Sequence, residues 1–250
     1  RRIRVPESSE PGALPVHEVS CRITDLEPLN HDVTRVWLRL PVGRAVQWHA
    51  GQYLELLMPE GPCPFSIANA PDEGLRDLEL HVRYGEDNPS SMAIMTALSD
   101  NDTISVRLPG GDRYIDALPD RPLWFICGST GFAPAKAMIE HLRARGFRRG
   151  IRLFWGARTR ADLYLEELVR DWAAEMPGFE FEFVLSEEEA PGFGTGPVHE
   201  AAVARLPVAE TPLVHVAGSP AMAWAAFDAL VAAGLPAEAI HSDVFDYAPR

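Results

Sequence analysis

Lysine is all but missing from this chain. Among 250 residues, 22 of the 23 basic ones are arginine, and Lys136 is the single lysine. Acidic residues outnumber them at 36, giving a formal net charge of −13. That balance excludes nucleic acid as the main partner, because a phosphate-binding surface needs an excess of Lys and Arg. Cysteine is scarce too. Cys21, Cys63 and Cys127 are too few and too scattered for a disulfide framework. They also cannot supply the four thiolates of a plant-type 2Fe–2S cluster, so no metal centre is expected. No run approaches the roughly 20 apolar residues that span a bilayer. The basic start, Arg1–Pro6, has no apolar signal core behind it. The expectation is a cytoplasmic protein with neither membrane nor nucleic acid as partner.

Hydrophobic residues make up 46% and charged residues 24%, as in a core-forming globular chain. The length suits one large domain or two small ones. Residues 1–18, rich in Pro, Ser, Glu and Arg, read as a tail or linker. From Val19 the texture changes to short β-type runs: VSCRITDL, VTRVWLRL, QYLELLM, LELHVRY and TISVRL. Val33–Leu40 alternates in polarity, which buries one face and wets the other, as in an antiparallel barrel. Only Ser90–Leu98 in this half reads as helical, with Ser at its start. The second half alternates buried apolar runs with helices. Pro122–Cys127, Ile151–Trp155, Phe179–Leu185 and Leu213–Ala217 are the runs; Phe132–Arg145, Ala161–Ala174 and Ala221–Ala233 are the helices. That rhythm predicts a parallel α/β sheet. The expected division is an antiparallel Greek-key β-barrel domain over 19–117, then an α/β nucleotide-binding domain over 118–250.

Four segments could carry chemistry. Cys127–Pro134 follows an apolar strand and opens a helix, where glycines admit a ligand and free N–H groups favour an anion. Lacking a Gly-Lys-Ser/Thr ending, it is no phosphate-loop kinase motif. Gly51-Gln52-Tyr53 precedes Cys63-Pro64-Phe65-Ser66-Ile67-Ala68-Asn69, a strand that could lay a flat ring against backbone. Ala217–Met222 is a second strand-to-helix turn. The tail His241–Tyr247 places an aromatic at the chain end, where it caps a flat ligand or packs the core.

In this order the four segments resemble the ferredoxin–NADP reductase superfamily. Phe65-Ser66 is similar to its flavin motif Arg-x-Tyr/Phe-Ser. Gly128–Pro134 (GSTGFAP) is similar to its nicotinamide-nucleotide loop Gly-Gly-Thr-Gly-x-Ala-Pro. Phe154–Arg158 looks like the strand and loop near the adenosine, and Ala217–Met222 resembles Cys-Gly-x-x-x-Met. The likeness runs over residues 19–250. Within the superfamily it is nearest to bacterial NAD(P)H:flavin reductases and to the reductase portion of CDP-6-deoxyglucoseen reductases.

The resemblance implies hydride transfer from NAD(P)H to a flavin, either FAD or a loosely bound FMN or riboflavin. The alternative is an FAD-containing component that passes electrons to a ferredoxin or oxygenase partner. Ser66 is the implied catalytic hydrogen-bond donor. The implied flavin contacts are Tyr53, Cys63, Pro64, Phe65, Ser66, Ile67, Ala68, His81, Val82, Arg83, Ser91 and Phe245. Those for NAD(P) are Gly128, Ser129, Thr130, Gly131, Pro134, Trp155, Gly156, Arg158, Arg160, Gly218, Ser219 and Met222. Three positions depart from the pattern. Cys63 stands where the family has Arg, removing a charged fork of donors. Glycines are missing around Asp87–Ser91, and Ala217 replaces a frequent Cys. The first two departures imply a loosely held flavin.

Overall fold

The computed structural model describes residues 13–72 and 74–250. The tail expected over residues 1–18 therefore lies, up to residue 12, outside the described residues.

Six strands form an antiparallel sheet: β1 (His17–Pro28), β2 (Val33–Arg39), β3 (Tyr53–Met58), β4 (Gly61–Ser66), β5 (Asp77–Arg83) and β6 (Thr103–Gly110). Their order is β4-β3-β6-β1-β2-β5, so the long connection before β6 returns it beside β1, as in a Greek key. The sheet curls until its ends meet, where the Ala68 N–H donates to the Glu79 carbonyl at 2.7 Å. Alternation explains the inner face: Val36, Leu38, Leu54, Leu56, Leu78, Leu80 and Val106 are all fully buried. β4 holds Pro62 and Pro64, which lack an N–H, and it stands at the sheet's edge where that lack costs no ladder bond. Helix α1 (Pro89–Asp100) is capped by Asn88, whose side chain accepts from the Ser91 N–H, and not by the serine expected from the sequence.

The second sheet is parallel, in the order β10-β9-β8-β7-β11-β12. Its strands are β7 (Leu123–Gly128), β8 (Ile151–Ala157), β9 (Phe179–Leu185), β10 (Gly194–Thr195), β11 (Leu213–Ala217) and β12 (Ile240–His241). Helices α2 (Phe132–Ala144) and α3 (Glu166–Glu175) cover one face; α4 (Val198–Val203), α5 (Pro220–Ala232) and the short α6 (Val244–Tyr247) cover the other. The chain runs outward from β7 through β8 and β9, then returns to β7's other side with β11. The direction of winding thus reverses between β7 and β11, the place where open α/β sheets bind ligands. The helix expected from Ala161 starts only at Glu166. Thr159 and Asp162 cap each other's backbone, but they open a single 3-10 turn over Arg160–Asp162. Leu163 and Tyr164 then turn inward to buried positions. Val33, Ala50 and Ile115 of the first half pack in the same buried cluster as Phe132, Ala135 and Met138 of α2. No helix among the described residues is long and apolar enough to cross a membrane.

Candidate functional site

Tyr53 opens β3, and its register partner is Ser66 at the end of β4. Its ring lies flat over Gly110 and Gly111: a Cβ on Gly110 would fall 2.4 Å from the ring carbons. Burial raises the phenol's pKa, and Glu55, Asp243 and Asp112 add to it. Gln52 fixes this corner, accepting from the His49 N–H at 2.7 Å and donating to the Gly111 carbonyl at 3.0 Å. Gly51, at φ +108, sits where a Cβ would meet Met138 of α2 at 2.2 Å. Ser66 is half-buried, and its hydroxyl makes no hydrogen bond among the described residues. Ile67 and Ala68 are fully buried, with the Ile67 N–H given to the Gln52 carbonyl at 3.0 Å. Cys63 is half-buried at the edge of the barrel core, its thiol directed at the Gly61 carbonyl at 3.7 Å. Pro64 is exposed and Phe65 half-buried.

The side chains of four expected flavin contacts have other partners. The side chain of Val82 is in the barrel core. The His81 ring is fully buried between Glu79 and Tyr164, at 2.9 Å from each, so only its backbone is available to a ligand. The Ser91 hydroxyl accepts from the Gly85 N–H and donates to the Asn88 carbonyl, closing its own loop. Phe245 packs on Trp224 and Phe227 at 4.4 and 5.3 Å between ring centres, on the α5 side of the parallel sheet. The core-packing alternative is the one realised there, because α6 turns the ring inward; the exposed aromatic of the tail is Tyr247. Arg83 does stand at the junction of the two halves. Its Nε donates to Asp32 at 2.6 Å and its Nη1 to the Ser129 hydroxyl at 3.2 Å.

On the parallel sheet, two strand-to-helix turns interlock. β7 leads through Ser129-Thr130-Gly131 into α2; β11 leads through Gly218 into α5, where Ser219 caps the helix by accepting from the Met222 N–H at 3.2 Å. A Cβ on Gly131 would fall 2.1 Å from the Ala217 carbonyl oxygen, and one on Gly128 would fall 2.5 Å from Met222 Sδ. Gly131 is required by close backbone packing, and Gly128 makes room for the Met222 side chain. Ser129 adopts φ 51, in the left-handed region. Its carbonyl accepts from the indole N–H of Trp155 at 3.1 Å. Trp155 is fully buried and stacks on Phe132 at 3.9 Å, so its side chain holds the turn from behind and cannot itself touch a nucleotide. Gly156 lies against Val198. Of the two arginines at the exit of β8, Arg158 is exposed without an ion pair among the described residues, while Arg160 is bound twice by Glu166.

A small cavity of about 30 Å³ separates the two halves, lined by Gly51, Arg113, Cys127, Pro134, Ala217 and Asp243 among others. Desolvation pushes the Asp243 carboxyl up to about 6, against the pull of Arg113. The Nε of Arg113 is buried without a hydrogen-bond partner. Neither Asp243 nor Arg113 was singled out from the sequence; a lone Asp in a polar tail carries no local signal, and its burial is set by packing alone.

Residues 125–227 match the oxidoreductase NAD-binding domain family. The chain is 34% identical over 221 residues to the terephthalate 1,2-dioxygenase reductase component 2 of Comamonas sp, covering 87% of this chain and 65% of that protein. It is 31% identical over 214 residues to the NAD(P)H-flavin reductase of Vibrio harveyi, covering 83% and 90%. The crystal structure of the Amycolatopsis cytochrome P450 reductase GcoB superposes with a TM-score of 0.83 at 30% identity, over 92% of this chain and 70% of that one. The chain thus spans about two thirds of the dioxygenase component's length.

Proposed function

The chain belongs to the ferredoxin–NADP reductase superfamily, and on that footing we propose that it transfers a hydride from NAD(P)H to a flavin. The observation that carries the reading is the meeting of two half-sites. One is the Tyr53–Ser66 pair at the mouth of the curled sheet; the other is the interlocked Gly128–Gly131 and Gly218 turns at the reversal point of the parallel sheet. Arg83, at the end of β5, ties the curled sheet to the first of these turns through Ser129.

The residues suit both ligands. The half-buried Ser66 hydroxyl is free to bond a ring nitrogen, and Tyr53 offers an aromatic ring beside it. The turns, with glycine at 128, 131 and 218, stand at helix starts, where an anionic pyrophosphate is favoured. When bound, the two cofactors supply the donor and acceptor of the hydride, and that chemistry is theirs. The chain's own part is to bind and align them. Ser66 orients the flavin edge, Tyr53 and the 64–68 backbone hold the ring plane, and Gly128, Thr130, Gly131 and Gly218 hold the dinucleotide. Asp243, with a carboxyl titrating near 6 beside Tyr53, is suited to hold a proton close to the site. Cys63 offers flavin phosphate no charge, and Arg83 is already shared between Asp32 and Ser129. Both features favour a flavin that comes and goes as substrate.

The second reading keeps the flavin as FAD and passes its electrons to a ferredoxin or oxygenase partner; the name of the Comamonas relative favours it. Gel filtration after purification separates the two. A colourless protein that oxidises NADH only when flavin is added supports flavin as substrate. A yellow protein retaining stoichiometric flavin overturns that and supports the electron-transfer component. Absence of NAD(P)H oxidation with FAD, FMN and riboflavin alike overturns both.

A further inference from the structure

Lys136, the chain's single lysine, is only 5% exposed. It lies one turn into α2, directly beyond the Gly128–Gly131 turn. Its Nζ stands 2.8 Å from Glu79 Oε2 and 2.8 Å from Glu140 Oε1, and donates to the Ala68 carbonyl at 3.2 Å. Glu79, 1% exposed, belongs to β5 of the curled sheet. Its other oxygen meets His81 Nε2 at 2.9 Å and lies 3.9 Å from Arg35. His81 Nδ1 in turn meets the Tyr164 hydroxyl at 2.9 Å, and that ring packs edge-on against Trp155, behind the nucleotide turn. A network of ion pairs and hydrogen bonds thus runs unbroken from one half of the molecule to the other.

Stability alone does not account for it. A buried ion pair often gains nothing over well-packed apolar side chains of the same volume, because desolvation offsets the attraction. What such a pair adds is geometry. We propose that Lys136 is a positioning residue, whose contacts with Glu79 and the Ala68 carbonyl fix the spacing between the Ser66–Ala68 segment and the Gly128–Gly131 turn. This rests on the hydride-transfer reading and extends it to how the two ligands are aligned. The segment cannot shift independently of Glu79. The Ala68 N–H donates to the Glu79 carbonyl, and the Asn69 side chain bonds both the Glu79 N–H and the Asp77 carbonyl, each at 2.9 Å. Lys136 therefore grips the segment at two linked points, and α2 transmits that grip rigidly to the turn. A misplacement of about 1 Å in such a site costs on the order of a hundredfold in rate.

The test is single-turnover reduction of riboflavin by NADH, both saturating, in Lys136→Met, Lys136→Arg and Glu79→Gln. Dissociation constants for riboflavin and NAD+ are measured alongside. Lys136→Met is expected to slow the turnover ten- to hundredfold while both dissociation constants stay within about threefold, and Lys136→Arg to recover at least a third of the lost rate. A folded Lys136→Met at the wild-type rate overturns the proposal. So does a dissociation constant for either ligand weakened more than tenfold, or an Arg variant no better than Met. Should Lys136→Met not fold, Glu79→Gln carries the test, with a tenfold loss expected and an unchanged rate overturning it. If the wild-type protein transfers no hydride, the function proposed above fails instead. Calorimetry then decides the clamp: a single melting transition that splits in two in Glu79→Gln or Lys136→Met supports it, and an unsplit one overturns it.

Discussion

Burial pushes the Asp243 carboxyl up to about 6 from 3.8, with Arg113 opposing and Asp246 and Asp112 adding to the rise. A carboxyl that holds its proton longer in the folded than in the unfolded state contributes stability at low pH and loses it as pH rises through the folded value. The window here runs from about pH 4 to pH 6. Above it, the ionised, partly buried group costs about 1–2 kcal/mol after allowance for its remaining exposure. Asp243→Asn is therefore expected to raise the melting temperature at pH 8 and to leave it unchanged at pH 4; equal shifts at the two pH values would contradict the assignment. Ser66 differs in being half-buried, with a hydroxyl that makes no hydrogen bond among the described residues. Ser66→Ala is expected to slow flavin reduction ten- to hundredfold, the ~1.4–2.8 kcal/mol of one hydrogen bond made in the transition state. An unchanged rate would remove Ser66 from the reaction. Ser66 was visible in the sequence because its neighbours form a pattern. Phe245 shows the opposite case: an aromatic near a chain end has the same letter whether it faces a ligand or, as here, Trp224 and Phe227.

At the scale of elements, the two turns proposed to hold the dinucleotide are kept together by what their glycines lack. A Cβ on Gly131 would stand 2.1 Å from the Ala217 oxygen and 2.5 Å from its carbonyl carbon, both backbone atoms that cannot swing away. Gly131→Ala must part the β7–α2 and β11–α5 turns, and is expected to destabilise the protein by about 2–4 kcal/mol, as overpacking of a close contact does. Gly43→Ala is the control. Gly43 has φ +79 and nothing within 4 Å of the added methyl, so only the backbone strain of about 1 kcal/mol applies. Equal denaturant midpoints for the two variants would refute the packing argument. The elements were legible where a period runs unbroken: Val33–Arg39 alternates, and Leu123–Cys127 is apolar throughout because both faces are covered. They were illegible where tertiary packing overrode a local signal. Thr159-x-x-Asp162 has the form of a helix start, yet Leu163 and Tyr164 are drawn into the core and the helix is delayed to Glu166. The two-residue strands β10 and β12 have no period to read.

For the whole molecule, the question is how a chain of net charge −13 takes an anionic dinucleotide, and which one. The division into an antiparallel and a parallel sheet followed from sequence texture, but the links between them did not, since they join residues far apart in the chain. Asn30 donates to the Ala161 carbonyl at 3.0 Å, His31 lies 3.3 Å from Asp162, and Arg83 reaches Ser129. The same long-range folding brings the acidic run Glu187–Glu189 beside the exit of β8. The Glu187 N–H donates to the Arg158 carbonyl at 2.9 Å, and the Glu188 carboxylate accepts from the Arg160 N–H at 2.8 Å. Arg160, expected among the NAD(P) contacts, has its guanidinium held by both oxygens of Glu166. Arg158 makes no ion pair among the described residues, and its carbonyl meets the Glu187 N–H at the same strand exit. Arg160 and Arg170 are both taken up by Glu166, so a 2′-phosphate placed there finds only Arg158 uncommitted beside the Glu187 and Glu188 carboxylates, whereas a ribose 2′-hydroxyl finds carboxylate acceptors. NADH is therefore expected to exceed NADPH by at least tenfold in kcat/KM, about 1.4 kcal/mol. Because exposed charges are screened within roughly 10 Å at 0.1 M salt, the gap should narrow as ionic strength rises. Glu188→Gln should narrow it at low salt, by removing one of the repelling charges. Equal use of the two donors at low salt, or a preference untouched by both salt and Glu188→Gln, would show that the charge at the exit of β8 does not select the nucleotide.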